Sequence, residues 1–335
     1  MKYLGVILIL LLLFSDTFSG NYANDYLNLG VSARELAMGN SCGALNKTSN
    51  SFLSNPAGLA YENDNSVNLM YMDQYGLARL NYLGYSFGKA SDYTLAVNWI
   101  RYSVIDIPRR PDLFLSGEHT EEARKREILK HRGTGFGYFS NVENNLYLSF
   151  ARMFHYNIFL DWMFKNLSVK IPVGVNLKLL HKKLDQSQAY GLGADFGARC
   201  QFDFGELIGN GLGDISLGIM LKDMTETNIY WETQHLDKIS PTLETSIAFE
   251  QSLPVFDSIL SLSLSRNNRY EKEINAGLEY SIKRVVAIRA GHNYNGFSGG
   301  CGLFFRLFNI QHNLNYAFHS HAIGNSHRIG ILLWF

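Results

Sequence analysis

Apart from one segment near its start, the 335-residue chain lacks any long apolar run. No other stretch reaches the ~18 consecutive apolar residues that a membrane-crossing helix needs, so helical spans are excluded. Cysteine is scarce and odd in number: Cys42, Cys200 and Cys301 stand far apart, which excludes a dense disulfide framework. Charge of one sign is missing as well. Thirty Lys and Arg balance thirty Asp and Glu, the formal net charge is +0 and no basic run appears, so nucleic acid is not an expected partner. Metal-ligand spacing is also absent. His292, His312, His319, His321 and His327 cluster toward the C-terminus, but only His319 and His321 are close and no Asp or Glu accompanies them. No metal and no cofactor is expected. Gly296-Phe297-Ser298-Gly299-Gly300 fits the nucleophile-elbow pattern, yet an elbow needs a strand, a sharp turn and a helix, and here the pattern falls in a hairpin between alternating segments. No catalytic residue is assigned, and the chain is not expected to be an enzyme.

What the chain does have is aromatic side chains and alternation. It is 13% aromatic, with 19 Tyr and 22 Phe, which suits strands flanked by aromatic girdles at two membrane interfaces. In Leu260-Ser261-Leu262-Ser263-Leu264-Ser265 one face is all Leu and the other all Ser. Residues 273–280 place Ile274, Ala276, Leu278 and Tyr280 on one face, and Glu273, Asn275, Gly277 and Glu279 on the other. Residues 313–319 divide the same way, and the last ten put Ile329, Ile331, Leu333 and Phe335 together. A soluble sheet alternates too, but paired carboxylates behind a greasy face fit a polar lumen inside a lipid-facing wall. Glycines on the polar faces, among them Gly191, Gly193, Gly218, Gly277, Gly291 and Gly302, leave room in a crowded interior.

Counting back from the C-terminus gives strands near 325–335, 311–319, 297–307, 285–294, 271–281, 257–268, 241–252, 213–222, 188–203, 168–182, 144–154, 92–104, 77–88 and 65–74. The fold class is therefore all-β: a transmembrane antiparallel barrel of about 14 strands. Residues 133–139 look strand-like as well, but a fifteenth strand would break the even parity, and they are assigned to a loop. The two longest connections, 105–143 and 223–240, then fall on one side, the extracellular one. The first contains a helical run over 118–130 with Glu122 and Arg126 at i,i+4 spacing.

Residues 1–20 read as a cleaved signal peptide: a lysine, an apolar run over 4–14, then small and polar residues to Gly20. Residues 21–63 lack alternation and form a separate N-terminal segment, a hatch, ahead of a barrel over 64–335. Ser32-Ala33-Arg34-Glu35 reads as a capping box opening a short helix, and Asn55-Pro56-Ala57-Gly58-Leu59 as a tight turn. Two placements stay open, a plug folded into the lumen and a lead-in outside it. Asp195, Arg199, Glu273, Glu279, Arg289 and Arg328 are expected to neutralise one another inside the barrel. Trp99, Trp162, Trp231 and Trp334 are expected as interfacial anchors.

The stretch Gly30-Val31-Ser32-Ala33-Arg34-Glu35-Leu36-Ala37-Met38-Gly39-Asn40, followed by Asn55-Pro56-Ala57-Gly58-Leu59, resembles the opening of the PorV/PorQ family, which is related to FadL-type outer-membrane barrels. Further matches follow in order: residues 98–102 with 106–108, 174–178 with 193–197, 221–231 with 239–241, and 316–318 with 324–329. The resemblance implies a fourteen-stranded barrel with an N-terminal hatch in a bacterial outer membrane, surrounded by its lipid. It implies two functions. One is docking in surface protein export of type IX kind, with secreted or surface proteins as partners and the loops 105–143 and 223–240 as the working surface. The alternative is a FadL-like channel that takes up hydrophobic small molecules through a break in a wall strand. For that channel the hatch motif Asn55, Pro56, Ala57 and Gly58 would gate, and Leu36, Met38, Phe52 and Leu53 would line a pocket.

Overall fold

Alternating strands can satisfy every backbone group without a helix only by closing on themselves, and that closure is the architecture observed. The computed structural model describes residues 25–88, 92–109, 117, 120–130, 137–161, 165–209, 211–269, 274–294, 296–321 and 324–335. The expected signal peptide, Trp162 and Glu273 lie outside these residues. In chain order the strands are β1 (Ser66–Gln74), β2 (Ala78–Phe87), β3 (Tyr93–Pro108), β4 (Tyr138–Leu160), β5 (Lys165–Leu184), β6 (Ser187–Asp203), β7 (Asp214–Lys222), β8 (Thr227–Trp231) and β9 (Leu236–Ile239). They continue with β10 (Thr242–Leu253), β11 (Ser258–Asn267), β12 (Ile274–Ile282), β13 (Val286–Asn293), β14 (Gly296–Leu307), β15 (Ile310–His321) and β16 (Gly324–Trp334).

Fourteen of these strands form a closed antiparallel ring, shut by β1 against β16 from Ser66↔Trp334 to Gln74↔Ser326. They are the fourteen segments that alternation marks in the sequence. β8 and β9 are extra: they form a hairpin that continues the sheet from β6 at the mouth away from the chain ends. β4 and β5 are longer than the alternation predicts: over 155–159 of β4 and at both ends of β5 the residues are exposed on both faces, so the buried face on which the pattern depends is gone. Of the segment 133–139, residues 133–136 lie outside the described residues, and Tyr138 and Phe139 begin β4.

Polarity is inverted relative to a water-soluble barrel. Leu262 and Leu264 of β11 face outward at 41% and 50% exposure, while Ser261, Ser263 and Ser265 are buried inside. On β12, Ile274 and Leu278 point out, and Asn275 and Glu279 point in. On β16, Ile329 is exposed and Arg328 is wholly buried. An apolar exterior over a polar interior is the arrangement of a membrane-spanning barrel. Among the described residues no helix is long and apolar enough to cross a membrane. The three cysteines are free.

Residues 25–62 fold inside the ring as a helix, Ala33–Ala37, and four 3-10 turns, Asp25–Leu29, Cys42–Ala44, Ser49–Leu53 and Pro56–Tyr61. Of the two placements left open by the sequence, the plug is the one observed. Ser32 precedes the helix but its side chain makes no cap, so the expected capping box does not form. Its carbonyl instead accepts from Arg328 of the wall at 3.1 Å. The interior is narrow enough that the hatch backbone touches the wall. Gly277 and Gly291 face each other across β12 and β13. A Cβ on Gly291 would lie 2.1 Å from the Gly39 nitrogen, and one on Gly277 would lie 2.5 Å from the Met38 carbonyl oxygen.

Gly291→Ala should therefore cost about 1–3 kcal/mol, the usual penalty for overpacking a filled interior. Gly299→Ala, whose Cβ would meet nothing nearer than 3.6 Å, should leave stability unchanged. Urea unfolding in lipid vesicles measures both.

Candidate functional site

The turn Asn55-Pro56-Ala57 is where the hatch meets the wall most closely. Asn55 is extended, its side-chain oxygen accepts from the Ala57 nitrogen at 3.1 Å, and Pro56 opens the 3-10 turn Pro56–Tyr61. Capping leaves the Asn55 amide nitrogen free to reach outward. It donates to the Ala198 and Ile219 carbonyls at 3.3 and 3.2 Å, spanning a cross-strand pair of β6 and β7. The seat beneath is a second facing glycine pair, Gly174 on β5 and Gly197 on β6. A Cβ on Gly197 would meet the Asn55 oxygen at 2.3 Å, and one on Gly174 would meet the Pro56 carbonyl carbon at 2.4 Å. Gly58 lies in the same turn, against the Asn46 carbonyl.

Beside this seat the ladder is interrupted. β5 and β6 pair at Lys170↔Gln201 and again at Val173↔Ala198, but Ile171 and Pro172 make no pair with β6. Proline has no N–H to donate. Arg199, on the opposite side of the gap, turns inward and gives its guanidinium to the Asn46 carbonyl and, at 3.4 Å, to the Asn55 carbonyl. The gap, the glycine seat and the Asn55 turn thus form one constellation.

Other wall side chains hold the rest of the hatch. Arg34 makes two bonds to Glu279, at 2.8 and 2.7 Å, and Glu279 also receives Arg289. Arg328 donates to the Leu29 and Ser32 carbonyls, and Asn176 donates to the Phe52 carbonyl at 2.8 Å. Ser298, the centre of the elbow-like pattern, lies within β14 and accepts from the Gly39 nitrogen at 3.2 Å. The expected mutual neutralisation holds for Glu279 with Arg289, whereas Asp195 pairs with Lys178, a lysine outside the expected set. It does not hold for Arg199 and Arg328, whose partners are hatch carbonyls that charge counting in the sequence cannot reveal.

The four residues expected to line a pocket are divided among three clusters. Leu36 packs on Ala33, Ala37 and Ala317. Met38 lies with Cys42, Leu45 and Ala248. Phe52 and Leu53 join a larger cluster with Tyr26, Leu59, Tyr82 and Tyr147. Phe52 stacks on Tyr82 at 5.8 Å and meets Tyr147 edge-on at 5.0 Å. This aromatic group is continuous with the 3-10 turn that follows Asn55.

Trp334 departs from its expected role, since it points inward and donates to Glu62 at 2.6 Å. Trp231 departs too, bonding Asp237 within the outer hairpin. Burial pushes the Glu62 carboxyl up to about 7, and burial likewise raises Glu35 and lifts the Cys42 thiol to about 12. The loop 223–240 folds down as β8–β9, burying Ile229 and Ile239 against Leu180 and Ala189. In the loop 105–143, the helix Glu121–Lys130 is exposed along its length, and its i,i+4 ion pair joins Glu121 to Lys125.

No protein-family model and no curated protein sequence matches the chain. Solved structures share the general shape. A deletion mutant of the monoaromatic hydrocarbon channel TodX has 12% identity and a TM-score of 0.49, over 92% of this chain and 98% of that one. The monoaromatic hydrocarbon channel CymD has 10% identity and a TM-score of 0.48, over 91% and 96%. The Ralstonia pickettii toluene transporter TbuX has 11% identity and a TM-score of 0.44, over 91% and 97%. Likeness of this degree assigns neither family nor activity.

Asn55→Ala removes a cap and two bonds to the wall, and should cost about 2 kcal/mol. It should also expose the hatch to added protease, read as faster cleavage within residues 25–62. Glu62 has a raised value in the folded state, so its stabilising contribution is complete below about pH 4.5 and is lost as pH rises through about 7. Glu62→Gln should therefore match the parent at pH 4 and exceed it at pH 8 by on the order of 3 kcal/mol, measured by denaturant unfolding at both pH values.

Proposed function

We propose that the chain is a bacterial outer-membrane channel for small hydrophobic compounds, held closed by its hatch, with the chain ends on the periplasmic side. The observation that carries this reading is the Asn55-Pro56-Ala57 turn seated on Gly174 and Gly197 beside the Pro172 gap. Withdrawing that turn would release the Arg199 bonds and draw Leu59 and Ala60 out of the aromatic cluster. An apolar space would then open next to a wall position with no ladder hydrogen bonds to break. A non-polar molecule needs such a route, because a polar lumen repels it and lipid on the far side of the gap accepts it.

The PorV/PorQ-like docking reading would place the working surface on the outer loops. One of these loops is folded onto the barrel as β8–β9, with Ile229 and Ile239 buried against the wall and Met224, Tyr230 and Leu236 exposed. The glycine seat of the Asn55 turn beside the Pro172 gap gives the stronger support to uptake.

The test is reconstitution into lipid vesicles, with entry followed for a monoaromatic probe and a sugar of similar size. Arg199→Met, which loosens the turn, should raise entry of the aromatic probe several-fold and leave the sugar unchanged. Equal rates in protein-free and protein-containing vesicles, for both parent and variant, would remove the uptake reading.

A further inference from the structure

On β2 to β5 the outer face of the wall changes character between one row of side chains and the next. Leu83, Trp99, Leu146 and Leu179 are successive cross-strand neighbours facing outward, and they form the last wholly apolar row toward the mouth away from the chain ends. The next row carries Arg101, Asn144 and His181, each directly opposite the one before it. The row beyond carries Arg79 and Lys183, with Ser103 and Val142 between them. Directly opposed residues lie about 5 Å apart and diagonal ones about 7–8 Å, so side chains as long as these can converge on one group. His181 stacks on Tyr190 at 4.9 Å and bonds Gln188, which makes it the flank of the patch.

Charge in this patch is uncompensated. Arg101 and Lys183 are exposed, and neither has an ion pair or hydrogen bond to another side chain among the described residues. The carboxylates around them are engaged or turned away. Asp185, in the turn after Lys183, is held by Arg109 at 2.7 Å, and Glu143 points inward to Lys182 at 3.2 Å. Asp106 lies in the bulge of β3, outside the paired rows. Asp73 stands opposite Arg79, so that arginine closes the patch on the β1 side and the free charge centres on Arg101 and Lys183. A cation facing hydrocarbon is costly, so cations immediately beyond the apolar row belong at headgroup level. Trp99, in the boundary row, has the position of an interfacial anchor. On β11, Arg266 also faces outward near the same mouth, but it stands alone between Thr245 and Ile274.

We propose that this outer face of β2 to β5 binds the phosphorylated headgroup of an outer-leaflet glycolipid, with Arg101 and Lys183 on the phosphate and Asn144 on the neighbouring sugar hydroxyls. Charge complementarity decides the occupant. Clustered cations at the edge of a membrane are matched by lipid phosphate, and a guanidinium takes phosphate oxygens two at a time. The acyl chains of the same molecule lie along Leu83, Trp99, Leu146 and Leu179, so one ligand satisfies both the basic and the apolar rows. A free phosphate would use only the first. The proposal takes from the uptake reading its orientation alone, with the chain ends in the periplasm, and involves no transport.

Equilibrium binding to the purified full chain in detergent micelles tests it without any transport measurement. The probe is diphosphoryl lipid A, compared with the same lipid freed of its phosphates, and native mass spectrometry across a titration reads stoichiometry and affinity. Saturable binding is expected, about tenfold or more tighter for the phosphorylated lipid, and inorganic phosphate should not displace it. The double variant Arg101→Gln/Lys183→Gln should bind about tenfold or more weakly, whereas Arg266→Gln, at the isolated arginine, should bind as the parent does. Heat-modified gel migration establishes that the variants are folded. Should the double variant fail, the two single variants replace it, each expected to weaken binding several-fold. Equal affinity for the two lipids, unchanged affinity in the folded variants or an equal loss in Arg266→Gln would overturn the proposal. Displacement by inorganic phosphate would overturn it too, since the site would then be one for free anions.

Discussion

The structure depends on one requirement: every polar group carried into the barrel must find its partner across the boundary between hatch and wall. The hatch is built from short turns, so many of its carbonyls have no helical partner. The wall supplies the donors. Arg199 takes the carbonyls of Asn46 and Asn55, Arg328 those of Leu29 and Ser32, and Asn176 that of Phe52. In return, hatch side chains reach wall carbonyls, as Asn55 does at Ala198 and Ile219. Neither part is satisfied without the other.

That exchange explains why the interior tolerates so much charge. A buried guanidinium bonded to carbonyls of another segment is stable only while that segment is in place. Arg34, Glu279 and Arg289 act in the same way, because one carboxylate joins a hatch arginine to a wall arginine. Several of these groups share the one boundary between hatch and wall, so each depends on the same packing. The glycine pairs Gly277/Gly291 and Gly174/Gly197 set the approach distance, since any side chain there would separate backbones that must bond.

Much of the barrel was legible from residues alone. Period-two alternation survives translation into structure because a membrane wall has two solvents, lipid outside and polar groups inside, and each strand must satisfy both. Leu262 against Ser263 is enough to orient β11. Alternation fades where the two faces stop differing. Residues 155–159 of β4 and the ends of β5 are exposed on both faces, and β8 and β9 are too short for a period to show. For the hatch, Asn55-Pro56-Ala57 was recognisable as a turn, but its seat was not, because Gly174 and Gly197 lie more than a hundred residues away.

The sequence by itself determined that this is an all-β barrel of fourteen strands with a separate N-terminal segment, because side-chain alternation and turn residues are local properties. Only the tertiary structure decided that the segment lies within the lumen, that Arg199 and Arg328 serve carbonyls rather than carboxylates, and that Trp334 turns inward to Glu62. Those outcomes depend on which distant groups share a confined, water-poor space, and burial of that kind exists only after the ring has closed.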